Sequence, residues 1–151
     1  MILHTASEVI SLEKRLENDS SEFYRALAGS YEKAADTFLS FAVENGKNVK
    51  QAERAYYGTI SDALEGGFAF KIEEEKYSIK TDLPDGPDYP ASLRQALEVE
   101  RTIIAFYTDA AGQSQSLMGD VPRIFRLLAR KRAERLEKLE SLLSSASEGS
   151  V

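Results

Sequence analysis

Apolar residues recur at three- and four-residue steps along most of this chain, the period of an α-helix buried on one side. The pattern predicts four long helices. The first spans about residues 5–28: Thr5 and Glu8 have capping-box spacing, and Val9, Leu12, Leu16, Phe23, Tyr24 and Leu27 form its stripe. The second runs over about 32–64 and ends at Gly66-Gly67, with Phe38, Phe41, Ala42, Val49, Ala52, Tyr56 and Ile60 on one face. The third covers about 90–112, with Pro90 in its first turn and Leu93, Leu97, Ile103, Ile104, Tyr107 and Ala111 inward. The fourth covers about 121–144 after Asp120 as N-cap, carrying Phe125, Leu128, Leu136, Leu139 and Leu143; residues 145–151 read as a frayed tail.

Residues 65–89 break the helical period. Phe68, Phe70 and Ile72 alternate, Tyr77 and Ile79 follow, and then comes the turn-rich DLPDGPDYP. The stretch fits either a short hairpin around Glu73–Glu75 or an extended strap. It is too long for a tight turn between antiparallel neighbours, so it predicts one crossover joining two helical hairpins in a single all-α domain over residues 1–151.

The two hairpins look like copies. A separation of 83 positions relates Glu17 to Glu100 and Tyr24 to Tyr107, with five residues between each glutamate and the Phe-Tyr pair that follows it. The second helices share a register from Phe38 and from Phe125. A duplicated hairpin predicts a pseudo-two-fold bundle in which equivalent residues meet near the axis. On a 3.6-residue period Glu17, Asn45, Asn48, Glu100, Arg132 and Arg135 all point to one level of the core. A buried lone carboxylate costs several kcal/mol or takes up a proton, so these groups must compensate one another.

Composition narrows the chemistry. Of 151 residues, 42% are hydrophobic and 29% charged, which fits a packed globule. The absence of cysteine removes disulfides, thiolate metal sites and a thiol nucleophile. The one histidine, His4, reads as a surface residue of the first turn and leaves no material for a multi-histidine centre or a Ser–His–Asp triad. There is no apolar run of the roughly 20 residues that span a bilayer and no secretory leader pattern, so a cytoplasmic address away from membranes is expected. The net charge of −6 argues against nucleic acid, although Arg123, Arg126, Arg130, Lys131, Arg132, Arg135 and Lys138 crowd the fourth helix as a possible anion or nucleic-acid surface. The plainer reading is a solvated face paired with acids such as those at 73–75.

Two glutamates on alternate helices, each followed by a tyrosine, with two intervening helices, resemble the ferritin-like proteins, and the rubrerythrin-type domain most closely. The resemblance covers the four helices and implies an antiparallel bundle with one long crossover. In that family one Glu from each of two helices and a Glu-x-x-His motif from each of the other two hold two iron or manganese ions. Glu17 and Glu100 match the single-Glu positions; the other positions fall on Asn45 and Asn48, and on Arg132 and Arg135, none of them Glu or His. Two carboxylates facing two guanidiniums already balance in charge, so the dimetal site reads as lost and no cofactor is expected.

The resemblance then implies a non-catalytic binding or structural protein, dimeric through its helix faces. The alternative is an iron- or manganese-binding, peroxide-handling oxidoreductase with Glu17 and Glu100 as ligands and Glu44 or Glu134 recruited by a π-bulge or slight rotation. Tyr24 and Tyr107 read as core aromatics with hydrogen-bonded hydroxyls rather than as redox groups.

Overall fold

A computed structural model describes residues 1–59, 70–83, 86, 88–114 and 119–149. Among the described residues, four long helices carry the fold: α1 (Ala6–Ser30), α2 (Ala35–Thr59), α3 (Tyr89–Ser114) and α4 (Val121–Gly149). They pack as two hairpins, α1 with α2 and α3 with α4, and the hairpins meet along α2–α4 and α1–α3. The architecture is all-α, with the longer connection between α2 and α3.

Local chemistry sets the helix ends. Thr5 caps α1 through its side chain to the Glu8 N–H, and Glu8 returns the bond to the Thr5 N–H, which completes the capping box. At the other end of α1 the chain turns extended at Tyr31, whose N–H donates to the Leu27 carbonyl at 2.9 Å. The next three residues, Glu32–Ala34, form a 3₁₀ turn, so α2 starts at Ala35, later than the pattern predicts. Asp88 opens α3, with its Oδ1 accepting from the Ala91 N–H at 3.2 Å. Gly119, at φ 54°, supplies the left-handed residue just before α4.

The end of the fourth helix also differs from expectation. Residues 145–149 are helical, not frayed, because no helix breaker precedes Gly149 and Leu142, Leu143 and Ala146 still pack on the core. Residues 150–151 lie outside the described residues, as do Ile60, the 60–64 end of the second helix, Gly66-Gly67 and Phe68.

The connection is neither a hairpin nor a plain strap. Its Ile72–Glu73 (β2) pairs antiparallel with Ile2–Leu3 (β1), Ile2 facing Glu73 and Leu3 facing Ile72. A 3₁₀ turn, Glu74–Tyr77, follows. The Phe70 N–H donates to the His4 carbonyl and the Glu74 N–H to that of Met1. Further along, Gln113 of α3 exchanges two hydrogen bonds with the Lys71 backbone, and Gln95 donates to the carbonyls of Lys80 and Asp82, both at 2.9 Å. These bonds satisfy backbone groups that a loop lying on a helix would otherwise leave open. Tyr77 closes the strap inward, packed edge-on against Phe106 with ring centroids 5.7 Å apart.

Phe23, Phe38, Phe106 and Phe125 are fully buried, as are Leu27, Leu93 and Ile103. At about 2 kcal/mol for each large apolar side chain removed from water, they supply the main drive to associate the hairpins. Tyr31 adds a tie at one end, its ring 4.8 Å from Tyr89 and its hydroxyl 2.9 Å from Ser92 Oγ.

Candidate functional site

Midway along this apolar bundle lies a layer of polar side chains withdrawn from solvent. On α1, Glu13, Glu17, Ser20 and Tyr24 follow one another at three- or four-residue steps and so share a face. Asn45 and Asn48 reach in from α2, Glu100 and Tyr107 from α3, Arg132 and Arg135 from α4. All six positions expected from the sequence are thus brought together, together with both tyrosines.

Arg132 is the hub. Its Nη1 donates to both oxygens of Glu100, at 2.9 and 2.7 Å, and its Nη2 donates to Glu17 Oε2 at 2.6 Å. The same Nη2 also reaches Ser20 Oγ (3.1 Å) and Asn45 Oδ1 (3.2 Å). One guanidinium therefore bridges two carboxylates from two helices, using the planar fork that lysine lacks. Burial alone pulls the Arg132 charge toward loss, but Glu100 and Glu17 outweigh it and hold the group above its ordinary range.

Arg135 does less for the two glutamates than the sequence suggests. It lies 3.6 Å from Glu100 and donates instead to Asn45 Oδ1 (2.8 Å), the Phe41 carbonyl (3.4 Å) and Glu44 Oε1 (3.1 Å). Its guanidinium also sits over the Phe41 ring at 4.6 Å and the Tyr24 ring at 5.5 Å, a cation–π arrangement that compensates desolvation.

The tyrosines cross between the halves. Tyr24 of the first hairpin donates to Glu100 of the second at 2.5 Å, and Tyr107 of the second lies 2.5 Å from Glu17 of the first. Each glutamate thus meets the tyrosine of the other repeat, as a pseudo-two-fold axis requires. Burial, and then the neighbouring carboxylates, push both phenols well above their ordinary range, so they serve as neutral donors. Asn45 donates to Ser20 Oγ and the Glu17 carbonyl, while Asn48 reaches the Glu17 carboxylate at 3.4 and 3.5 Å.

One member was missed in the sequence. Glu13 is fully buried, with Oε2 at 2.6 Å from the Tyr107 hydroxyl. Burial first, and the Glu17 charge second, push its carboxyl up to about 8. Its signal was present: it precedes Glu17 by one helical turn and follows Val9 by one turn. The repeat concealed it, because the matching residue in the second half is Ala96. Glu13 Oε1, Asn48 Oδ1 and the Nε atoms of Arg132 and Arg135 are buried without a hydrogen-bond partner.

Other expected participants lie elsewhere. Glu134 is exposed on α4, so the rotation that would recruit it is absent; Glu44 stands at the rim, 39% exposed, bound to Arg135. His4 precedes α1 rather than opening it and is half-buried, one ring nitrogen 3.2 Å from the Phe70 carbonyl. The basic run divides, since Arg132 and Arg135 are core residues while Arg126, Arg130 and Lys138 are exposed. The acids expected to pair with that face are engaged elsewhere: Glu74 pairs with Arg15 of α1, and Glu75 with the N-terminal amine.

The donor set does not suit a pair of metal ions. Among the described residues no three Asp, Glu or His side chains converge as a metal site. The carboxylate oxygens that would bind cations already accept from Arg132, Tyr24 and Tyr107, and the guanidinium occupies the gap between Glu17 and Glu100. A cation there would face that positive charge in a low-dielectric interior. An open cleft of about 670 Å³ lies between the strap and α3, beside Leu83, Arg94 and Gln95 and away from the polar layer.

No helix among the described residues is long and apolar enough to cross a membrane. Compared with protein-family models, with curated proteins and with solved structures, the chain matches none.

Proposed function

We propose that this chain is a ferritin-like, rubrerythrin-type bundle whose dimetal centre has been replaced by an internal ion-pair network, and that it acts as a non-catalytic binding or structural protein. The observation that carries this reading is the Arg132 guanidinium held within 2.6–2.9 Å of both Glu17 and Glu100. A reactive centre needs open coordination positions or a group reachable by substrate. Here the polar groups are 0–2% exposed and spend their hydrogen bonds on one another. What the layer supplies is specificity: apolar faces slide past one another at little cost, whereas a carboxylate–guanidinium bridge tolerates one register.

The test is elemental analysis of protein grown with added iron and manganese and purified without chelator. The expected result is far less than one metal per chain, unchanged in Glu17→Gln. Near-stoichiometric iron or manganese that disappears in Glu17→Gln would replace this reading with the metal-binding oxidoreductase.

Association of two copies is part of the same proposal. The outer face of α2 exposes Leu39 (44%), Val43 (63%) and Tyr57 (69%), flanked by exposed Asp36 near its start and Arg54 near its end. An antiparallel pairing of two α2 faces sets Asp36 of one copy against Arg54 of the other, twice by symmetry. Sedimentation of the wild type as a dimer and of Val43→Lys as a monomer is the expected outcome.

A further inference from the structure

The Tyr107 hydroxyl has one proton and two carboxyl neighbours, Glu17 Oε1 at 2.5 Å and Glu13 Oε2 at 2.6 Å. It donates to only one of them. If both carboxyls were ionised, the second contact would set lone pair against lone pair at hydrogen-bonding distance. One carboxyl must therefore supply a proton of its own.

The surroundings identify which. Glu17 receives Arg132 Nη2 at 2.6 Å and lies within 3.5 Å of Asn48 Nδ2, so its negative charge is met. Glu13 has neither: its Oε1 is unpartnered, its side chain is fully buried, and among the described residues Tyr107 is its one hydrogen-bond neighbour. The charged and titratable groups that bear on it come from every packed helix: Glu17 on α1, Glu53 on α2, Tyr107 on α3 and Arg132 on α4. The one cation in that set is committed to Glu17 and Glu100. In the other half Tyr24 meets a single carboxylate, and Ala96 stands where Glu13 would repeat.

We propose that Glu13 is a neutral carboxylic acid in the folded protein, donating through Oε2 to Tyr107, which donates to Glu17, and that this proton is a pH-sensitive latch between the two hairpins. The chain of donors runs from α1 to α3 and back to α1, across a seam between the hairpins. Loss of the proton turns the latch into a repulsion between Glu13 and Glu17 at the same seam. The raised proton affinity of Glu13, about 8 against an ordinary 4.5, agrees with this assignment.

Linkage fixes the sign. Between those two values the folded chain holds a proton that the unfolded chain has released, so rising pH favours unfolding; above about 8 the dependence from this group stops. The test compares the wild type with Glu13→Gln, which keeps an N–H donor toward Tyr107 and cannot titrate. In denaturant titrations from pH 5 to 9, the wild-type folding constant divided by that of Glu13→Gln is expected to fall about tenfold per pH unit up to about pH 8 and then level off. Parallel profiles would overturn the proposal. A second readout needs only the wild type folded: its infrared spectrum at pH 7 should contain the carbonyl band of a neutral carboxylic acid, and absence of that band overturns the assignment. For the latch itself, amide exchange near Tyr107 should rise above pH 8 in the wild type relative to Glu13→Gln; equal exchange in the two would remove the latch.

Discussion

The two hairpins place the same backbone positions around the bundle axis and fill them differently. Both offer a glutamate and a tyrosine, and the tyrosines cross so that each half completes the other. The positions contributed by the second helix of each pair diverge, amides at Asn45 and Asn48 against guanidiniums at Arg132 and Arg135. A symmetric filling would fail either way: four amides would leave two buried acids unpaired, and four arginines would bury two surplus cations. The asymmetric filling sets the charges of Glu17 and Glu100 against those of Arg132 and Arg135, with Asn45 accepting from both arginines. The matching halves therefore supply positions, and complementarity between them fixes one register.

That comparison breaks most severely at its hub. Arg132→Leu removes the cation and strands two buried carboxylates, so a loss of about 3–5 kcal/mol is expected in denaturant unfolding at neutral pH. A variant as stable as the parent would mean that Arg132 does not bridge the halves. Replacing Glu17, Glu100 and Arg132 together by apolar residues of similar volume should cost less than Arg132→Leu alone, because no buried carboxylate is then stranded and Arg135 keeps Glu44.

The crossed tyrosines sharpen it next. Tyr24→Phe removes one charge-assisted hydrogen bond, about 1.5–3 kcal/mol. Tyr107→Phe should cost more, since it leaves Glu13 as well as Glu17 short of a partner. Equal losses for the two would show that Glu13 draws nothing from Tyr107. The smallest effect belongs to the rim: Glu44→Ala, at a partly exposed pair with Arg135, should change stability by less than about 1 kcal/mol and less still in high salt.

Much of this was legible before the fold was known. The helical period, the capping box at Thr5 and Glu8, and the spacing shared by Glu17–Tyr24 and Glu100–Tyr107 follow from local geometry, which repeats along the chain. The same reasoning placed Asn45, Asn48, Arg132 and Arg135 at one level. It did not reveal Glu13, whose helix face was readable but whose lack of a repeat partner hid it. Nor did it reveal β1, because two residues carry no period and Ile2–Leu3 becomes a strand only by meeting Ile72–Glu73. The continuation of α4 to Gly149 was missed for a related reason: a serine-rich end reads as loose unless something packs on Leu142, Leu143 and Ala146.

The residues alone determined the four helices, their apolar stripes and the membership of most of the polar layer, since these depend on interactions within a few positions. Only the tertiary structure decided who pairs with whom: that Arg132 takes both glutamates, that Arg135 turns to Asn45, Glu44 and two aromatic rings, and that one hydroxyl lies between two acids. Such pairings depend on differences of an ångström between side chains from different helices, and in a medium that screens charge weakly those differences set the sign of the interaction.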